Sequence, residues 1–176
     1  MFYQYSEESI FLLGNWQKIQ LLRRGINNLE NYEFTVYLES LEKLLKEKSW
    51  WDQQMEFVIF DNNYGRQRYF SLDKWRDKAD NQFSIWIGVE KLTLNNLLGF
   101  DDSPFCYIWV RGSQKEIIKS KLLKLLENPS SATGDYILKS NIHHYNASEI
   151  IKGEPINEIV KKFEELFFKI KDFSIE

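Results

Sequence analysis

The sequence has little of the material from which compact catalytic or covalent sites are made. Its 176 residues include one cysteine, Cys106, two adjacent histidines, three prolines and eight glycines. A lone cysteine excludes an internal disulfide and a zinc site built from several thiolates of this chain. The glycines are scattered, which excludes a glycine-rich phosphate loop, and no Gly-x-Ser-x-Gly motif presents a serine nucleophile. We therefore predict no catalytic residue, no bound metal and no cofactor.

Long apolar runs and a large excess of one charge are also missing. The longest apolar run near the start covers residues 10–13 and is too short for a transmembrane span. Glu7 and Glu8 precede it, where a secretory signal would carry basic residues. The net charge of −3 argues against a polybasic membrane anchor and against direct binding of nucleic acid. We therefore expect a soluble, cytoplasmic protein without a membrane or nucleic-acid partner. The abundance of Asn, Lys and Ile indicates a bacterial or phage source.

Aromatic residues are what the sequence has in excess. The chain contains 13 Phe, 9 Tyr and 6 Trp, and rings therefore make up 16% of its residues. This content excludes intrinsic disorder and predicts a substantial core. Tyr, Trp and Arg are also the residue types enriched at the centres of protein–protein interfaces. The surplus of rings is the compositional feature that points toward a function.

Helical periodicity dominates both ends of the chain. Ser6 followed by two glutamates is typical of a helix start, and residues 25–31 are interpreted as a connection. In the last third, Ser113 and Glu116 form a capping-box pattern, and residues 153–155 open a final helix. The apolar stripes that define these helices are Ile10, Leu13, Trp16, Ile19 and Leu22; Phe34, Tyr37, Leu38, Leu41, Leu44 and Leu45; Ile118, Leu122, Leu125 and Leu126; and Ile156, Ile159, Val160, Phe163, Leu166, Phe167 and Ile170.

The middle of the chain has the two-residue period of β-strands. The segment 61–65 is dense in turn-forming residues and predicts a hairpin between the strands on either side of it. Residues 92–100 form a longer connection that we expect to hold a helical turn. The predicted strands are residues 55–60, 66–72, 83–89 and 105–110, with residues 136–142 as a fifth.

Both faces of the strand predicted over residues 83–89 are apolar. Alternation places Trp86 on the face opposite the other apolar side chains of the strand. Either helices cover both sides of the sheet, or one side is a binding surface. The side chains predicted to point into the main core are Phe83, Ile85, Ile87 and Val89.

The order of these elements indicates an α+β protein, because the strands are grouped and the helices come before and after them. We predict a single domain over residues 1–176. Its centre is a mainly antiparallel sheet of four to five strands connected as a meander. Two N-terminal and two C-terminal helices pack with this sheet.

The candidate binding surface lies around the second predicted strand and its exit. Amphipathic, ring-bearing side chains on a hairpin present a rigid contact surface at low entropic cost. We expect two acids that precede a Ser-Pro pair to lie at the rim of this surface. The candidate binding residues are Arg66, Arg68, Tyr69, Trp75, Asp101 and Asp102.

A catalytic alternative uses Asp61, Glu90, His143 and His144. A metal-dependent nuclease needs carboxylates brought together on adjacent strands, with a lysine two positions after the second acid. Glu90 is followed directly by Lys91, so the two side chains face opposite ways and this spacing is missed. Adjacent histidines on a strand also point to opposite faces and do not grip one metal together.

The sequence therefore favours a non-enzymatic protein-binding module whose partner is another protein. An inhibitor or immunity protein of a bacterium or phage, acting on a toxin or a nuclease, fits the slight acidity. Acidic surfaces complement basic clefts and speed association with them. Other interpretations stay open: a metal-dependent nuclease-like enzyme or nuclease-associated module, a small-ligand module, and a homo-oligomer.

Overall fold

A computed structural model describes residues 6–29, 34–52, 55–62, 65–77, 81–127, 129 and 132–175. The chain divides into two compact units, residues 1–38 and residues 39–176, and each is described by itself below. The prediction of one domain over the whole chain stays a prediction. Seven α-helices and seven β-strands occur in the described residues.

The first unit contains helices α1 (Glu7–Gly14) and α2 (Trp16–Asn28). Ser6 caps α1 as predicted, since its hydroxyl accepts a hydrogen bond from the Ser9 N–H at 3.2 Å. The predicted connection over residues 25–31 is wrong at its start, because α2 continues through Gly25 to Asn28. A glycine inside a helix costs about 1 kcal/mol relative to alanine and does not by itself end the helix.

The apolar side chains of these two helices do not form a core. None of the residues of α1 and α2 is buried. Leu22, the last residue of the predicted stripe, is 66% exposed. The large apolar residues that lie exposed in this segment are Ile10, Phe11, Leu12, Leu13, Trp16, Leu21, Leu22, Ile26 and Leu29.

Helix α3 (Phe34–Lys46) begins in the first unit and ends in the second, where Leu41 and Leu45 are buried. The second unit is built on an antiparallel sheet of five strands, whose order across the sheet follows their order in the chain. This confirms the α+β class and the antiparallel meander, with the fifth predicted strand at its edge. The five strands are β1 (Met55–Asn62), β2 (Gly65–Leu72), β5 (Ile85–Glu90), β6 (Phe105–Val110) and β7 (Tyr136–Asn141).

The predicted hairpin is confirmed, but its turn is narrower than expected. The β1–β2 register pairs Asn62 with Gly65 and Asp61 with Arg66, so these residues of segment 61–65 belong to strands. Residues 63 and 64 lie outside the described residues. Asp61 is therefore a strand residue and not a turn residue.

The strand predicted over residues 83–89 is divided at Ser84. Phe83 belongs to β4 (Gln82–Phe83), which pairs with β3 (Arg76–Asp77) in a separate two-stranded sheet. Ile85, Ile87 and Val89 lie on β5 and are fully buried, as predicted. Phe83 is also buried, but on the small sheet.

One face of the five-stranded sheet packs against helix α7 (Glu154–Ile170), which contacts β5 and β6. The predicted stripe of this helix is confirmed, since Phe163, Leu166 and Phe167 are buried. Phe163 meets the ring of Phe70 from β2 edge-on, with 5.6 Å between centroids. Trp50 stacks on Phe167 at 4.8 Å. These rings close the main core.

The remaining helices are α4 (Leu94–Leu97), α5 (Lys115–Leu125) and α6 (Ala147–Ile151). The short α4 is the helical turn expected in segment 92–100. The capping box predicted at Ser113 is wrong, because α5 starts after Gln114 without a side-chain cap and Ser113 donates instead to Asp77 at 3.1 Å. Three helices precede β1 in the described residues, one more than predicted.

Candidate functional site

The second face of the sheet carries the surplus rings. Strand pairing places Tyr69, Gly88 and Tyr107 in one row across β2, β5 and β6. Phe70, Ile87 and Ile108 form the next row and point to the α7 side. Because side chains alternate along a strand, the first row lies on the face opposite α7. We call this the aromatic face; its rings are Tyr69, Trp86, Phe105, Tyr107, Trp109 and Tyr136.

A groove of about 390 Å³ runs over the aromatic face. Its size is in the usual range for small-ligand sites, or for one or two inserted side chains of a larger partner. Four of its seven lining residues are aromatic, and the other three are polar or charged. The groove is lined by Gln67, Tyr69, Glu90, Tyr107, Trp109, Arg111 and Tyr136.

The floor of the groove depends on Gly88. A Cβ atom at this position would lie 2.6 Å from Cζ and from the hydroxyl oxygen of Tyr107. It would also lie 2.7 Å from Cβ of Tyr69. The ring of Tyr107 therefore lies directly across the glycine, and it is itself only 3% exposed. The glycine is the reason that a ring can lie flat in the middle of the sheet.

Glu90 is held in a fixed position in the groove. Its Oε1 accepts a hydrogen bond from Nε2 of Gln67 at 2.7 Å, and its Oε2 accepts one from the Tyr136 hydroxyl at 2.7 Å. Both donors are neutral, and Glu90 forms no ion pair with a described residue. Each carboxylate oxygen has a second lone pair for a further donor. The carboxylate is therefore preorganised to accept a hydrogen bond from a bound group.

Arg111 supplies the positive group of the groove. Its guanidinium carbon lies 5.3 Å from the ring centroid of Trp86 and 5.8 Å from that of Trp109. Its Nε donates a hydrogen bond to the backbone oxygen of Phe83 at 3.1 Å. Cation–π contacts and this hydrogen bond fix the guanidinium. Glu90 closes β5 and Arg111 directly follows β6, so the strand register places the two charges toward opposite ends of the groove.

Lys139 extends the same pattern onto the edge strand. Its Nζ lies 4.2 Å from the ring centroid of Tyr136 and 4.9 Å from that of Phe105. The rings of Tyr136 and Tyr107 meet edge-on at 5.3 Å. The aromatic face thus already holds two cations of this protein against its rings.

Burial of the groove tyrosines changes their acidity. Burial raises the pKa of Tyr107 far above its ordinary value of 10.0, and the nearby Glu90 carboxylate adds to the effect. The pKa of Tyr136 is also raised, first by burial and then by its hydrogen bond to Glu90. Burial raises the pKa of Tyr69 as well. All three hydroxyls therefore act as neutral hydrogen-bonding groups at neutral pH.

These shifts predict a loss of stability at alkaline pH. An unfolded tyrosine ionises at about pH 10, whereas folded Tyr107 keeps its proton at that pH. The contribution of neutral Tyr107 to the free energy of unfolding is therefore fully present below about pH 10 and is progressively lost as the pH rises above that value. We expect the free energy of unfolding, measured in denaturant at a series of pH values, to fall more steeply above pH 10 in the wild type than in Tyr107→Phe. Equal slopes for the two proteins would contradict the assignment.

Of the six predicted binding residues, Tyr69 lies in the groove. Arg68 and Trp75 are both buried, so neither side chain is exposed for a contact in this structure, and their assignment to a binding surface stays a prediction. Trp75 is 0% exposed, and its indole N–H donates to the backbone oxygen of Phe173 at 3.0 Å. Arg68 lies on the face that carries Phe70. The side chain of Arg66 lies outside the described residues.

The two acids predicted at the rim are exposed and lie in the loop before β6. Asp102 forms an ion pair with Lys91 at 2.5 Å, and the hydrogen bond from Lys91 lowers its pKa. Asp101 is its exposed neighbour. Neither of them lines the groove.

The alternative catalytic residues are not brought together. Glu90 lies in the groove, whereas His143 pairs with Glu158 of α7 at 2.8 Å and His144 contacts the Ser103 hydroxyl at 2.7 Å. The side chain of Asp61 lies outside the described residues. Within the described ranges, no group of three or more His, Cys, Asp or Glu residues could hold a metal ion. Cys106 is buried on β6, and burial raises the pKa of its thiol, which keeps it protonated.

Glu158 gathers several donors on the α7 side. Burial by itself would raise its pKa, but the Tyr145 hydroxyl at 2.5 Å, the His143 N–H at 3.1 Å and Lys162 at 3.4 Å lower it overall. This arrangement ties the segment after β7 to α7. The network includes His143 but not His144, so it does not bring the two predicted histidines together.

Sequence reasoning missed most of the groove. Gln67, Tyr107, Trp109, Arg111 and Tyr136 were not predicted as site residues. The available signal was the alternation along β6, where three rings share the face opposite three small or aliphatic side chains. Those rings are Phe105, Tyr107 and Trp109, and the opposing side chains are Cys106, Ile108 and Val110.

Comparison of the chain with protein-family models, with curated proteins and with solved structures finds no match. Among the helices that the structure describes, none is both long and apolar enough to span a lipid bilayer. The groove and the exposed surfaces of the described residues are therefore the features that point to a function.

Proposed function

We propose that this protein is a non-enzymatic binding module that holds a protein partner on its aromatic face. The observation that carries the proposal is the groove, in which tyrosine and tryptophan side chains surround a fixed carboxylate and a fixed guanidinium. Tyr, Trp and Arg are the residues that contribute most to binding energy at protein interfaces. Their positions on adjacent strands keep the loss of side-chain entropy on binding small.

The chemistry of the groove favours a partner with a basic side chain. Glu90 has two neutral donors and no ion pair with a described residue, so a guanidinium or ammonium group from a partner would compensate its charge. The ring faces add cation–π attraction. A basic toxin or nuclease held by an inhibitor or immunity protein has this chemistry. The net charge of −3 favours association with such a partner.

A nuclease-like enzyme is the weaker alternative. It needs carboxylates and a metal at one place, and the described residues do not provide such a cluster. The binding function is therefore the preferred one. An activity of the purified protein that disappears in Glu90→Gln would reverse this choice.

Trp109→Ala tests the proposed interface. We expect the affinity for a partner, recovered from the source cells by cross-linking and then purified, to fall at least about tenfold, since this half-buried ring lines the groove. The dissociation constant would be measured by calorimetry. The matched control is Phe100→Ala, which removes a ring that is 76% exposed and lies outside the groove.

The control should leave the affinity unchanged, and both variants should keep the far-ultraviolet spectrum of the wild type. If Trp109→Ala binds the partner as tightly as the wild type does, the aromatic face is not the interface. If Phe100→Ala weakens binding as much as Trp109→Ala does, the partner does not bind specifically at the aromatic face.

A further inference from the structure

We propose that helix α2 binds the surface of an anionic membrane, with its apolar stripe inserted among the lipid headgroups. The inference goes beyond the proposed function because it concerns the first unit and does not involve the groove. It also departs from the expectation drawn from net charge. The average over the chain does not describe the local charge of residues 9–29.

The first observation is an exposed apolar stripe along α2. Leu22, Ile26 and Leu29 follow one another at intervals of four and three residues, so they lie on one side of the helix. Their exposed fractions are 66%, 55% and 40%. Together with Leu21, Gly25 and Lys18 they line a shallow apolar groove. Exposed patches of this kind mark sites that are covered by a membrane or another molecule.

The second observation decides between a membrane and a protein as the cover. Residues 9–29 contain Lys18, Arg23 and Arg24 and no Asp or Glu, in a chain whose net charge is −3. At 100° per residue, Lys18 and Arg23 lie on opposite borders of the Leu22 stripe, where their long side chains reach headgroups while the stripe is immersed. Trp16, 55% exposed, lies next to the Arg23 border.

This combination is the signature of an interfacial helix: an apolar face, basic residues beside it and a Trp at the boundary. Such a helix lies in the plane of the membrane and does not cross it. That agrees with the finding that no described helix is long and apolar enough to span a bilayer. Binding would depend both on apolar burial and on attraction to anionic lipids.

The test is sedimentation of the full chain with vesicles. We expect the protein to sediment with vesicles of phosphatidylcholine and phosphatidylglycerol, and at least about tenfold less with phosphatidylcholine alone or in high salt. The double variant Leu22→Gln with Ile26→Gln keeps the charge and removes the stripe. It should bind at least about tenfold less. Lys18→Gln with Arg23→Gln, which removes the two basic residues at the borders of the stripe, should lose the preference for phosphatidylglycerol.

The matched control is Gln17→Ala with Asn28→Ala, which changes two exposed residues on the polar side of the same helix. It should bind vesicles like the wild type. All these positions are exposed, so circular dichroism and thermal melting should confirm unchanged folding. Absence of vesicle binding overturns the proposal. If the protein instead self-associates without binding vesicles, and Leu22→Gln with Ile26→Gln abolishes this self-association, a second copy of the chain covers the stripe and the proposal is overturned.

Discussion

Phe163→Ala should lower the free energy of unfolding by about 3–5 kcal/mol, because it removes a fully buried ring. Phe163 lies in the middle of α7 and contacts Phe70 edge-on at 5.6 Å, so the cavity would open between the helix and β2. The side chains around it come from both layers and cannot collapse without moving the sheet. Denaturant melts followed by circular dichroism measure this cost.

The matched control for this substitution lies on the same helix. Phe168→Ala removes a ring that is 48% exposed, and alanine is the better helix former. We expect a change of at most about 1 kcal/mol. A cost below about 1 kcal/mol for Phe163→Ala, or equal costs for the two variants, would mean that α7 turns a different face to the sheet.

The second unit could be predicted from the sequence because its patterns are long and agree with one another. The stripe that contains Phe163 spans most of α7, and the alternation along β5 and β6 fixes which side chains face the helix. The periodic spacing of apolar residues depends only on the geometry of the helix or strand that contains them, so it can be recognised in the sequence of that segment alone. The meander followed because antiparallel strands joined by short connections are usually neighbours in the sheet.

The groove could not be predicted in the same way because it depends on register. Tyr69, Gly88 and Tyr107 lie far apart in sequence and meet only through the pairing of three strands. Arg68 and Trp75 were chosen for residue type and position near Tyr69. Strand alternation places Arg68 on the other face. The segment before residue 176 contacts the Trp75 region, since the Trp75 indole donates to Phe173 and the Ile175 N–H donates to the neighbouring Lys74.

In the first unit, the helix could be predicted from the sequence but the burial of its side chains could not. Trp16 and Leu22 belong to the stripe whose helical spacing predicts a buried face, and both lie on helix α2. Their burial depends on whether another surface covers them, and spacing does not contain that information. The exposure of these residues is therefore a separate finding from the helix itself.

Gly88→Ala should destabilise the protein by about 1–3 kcal/mol, although it adds only one methyl group. The added Cβ would lie 2.6 Å from the Tyr107 ring and 2.7 Å from Cβ of Tyr69, closer than such atoms approach in folded proteins. The ring of Tyr107 is buried, and a Cβ atom cannot move without its backbone. The sheet must therefore shift where β2, β5 and β6 meet.

A double-mutant cycle isolates this contact. Tyr107→Leu removes Cζ and the hydroxyl, so Gly88→Ala should cost at least about 1 kcal/mol less in that background than in the wild type. Part of the cost should persist, because Cβ of Tyr69 is still in place. Chemical denaturation of the four proteins gives the coupling energy. If Gly88→Ala unfolds at the same denaturant concentration as the wild type, or if the cycle shows no coupling, Tyr107 does not lie across the glycine. The floor of the proposed binding groove would then be differently built.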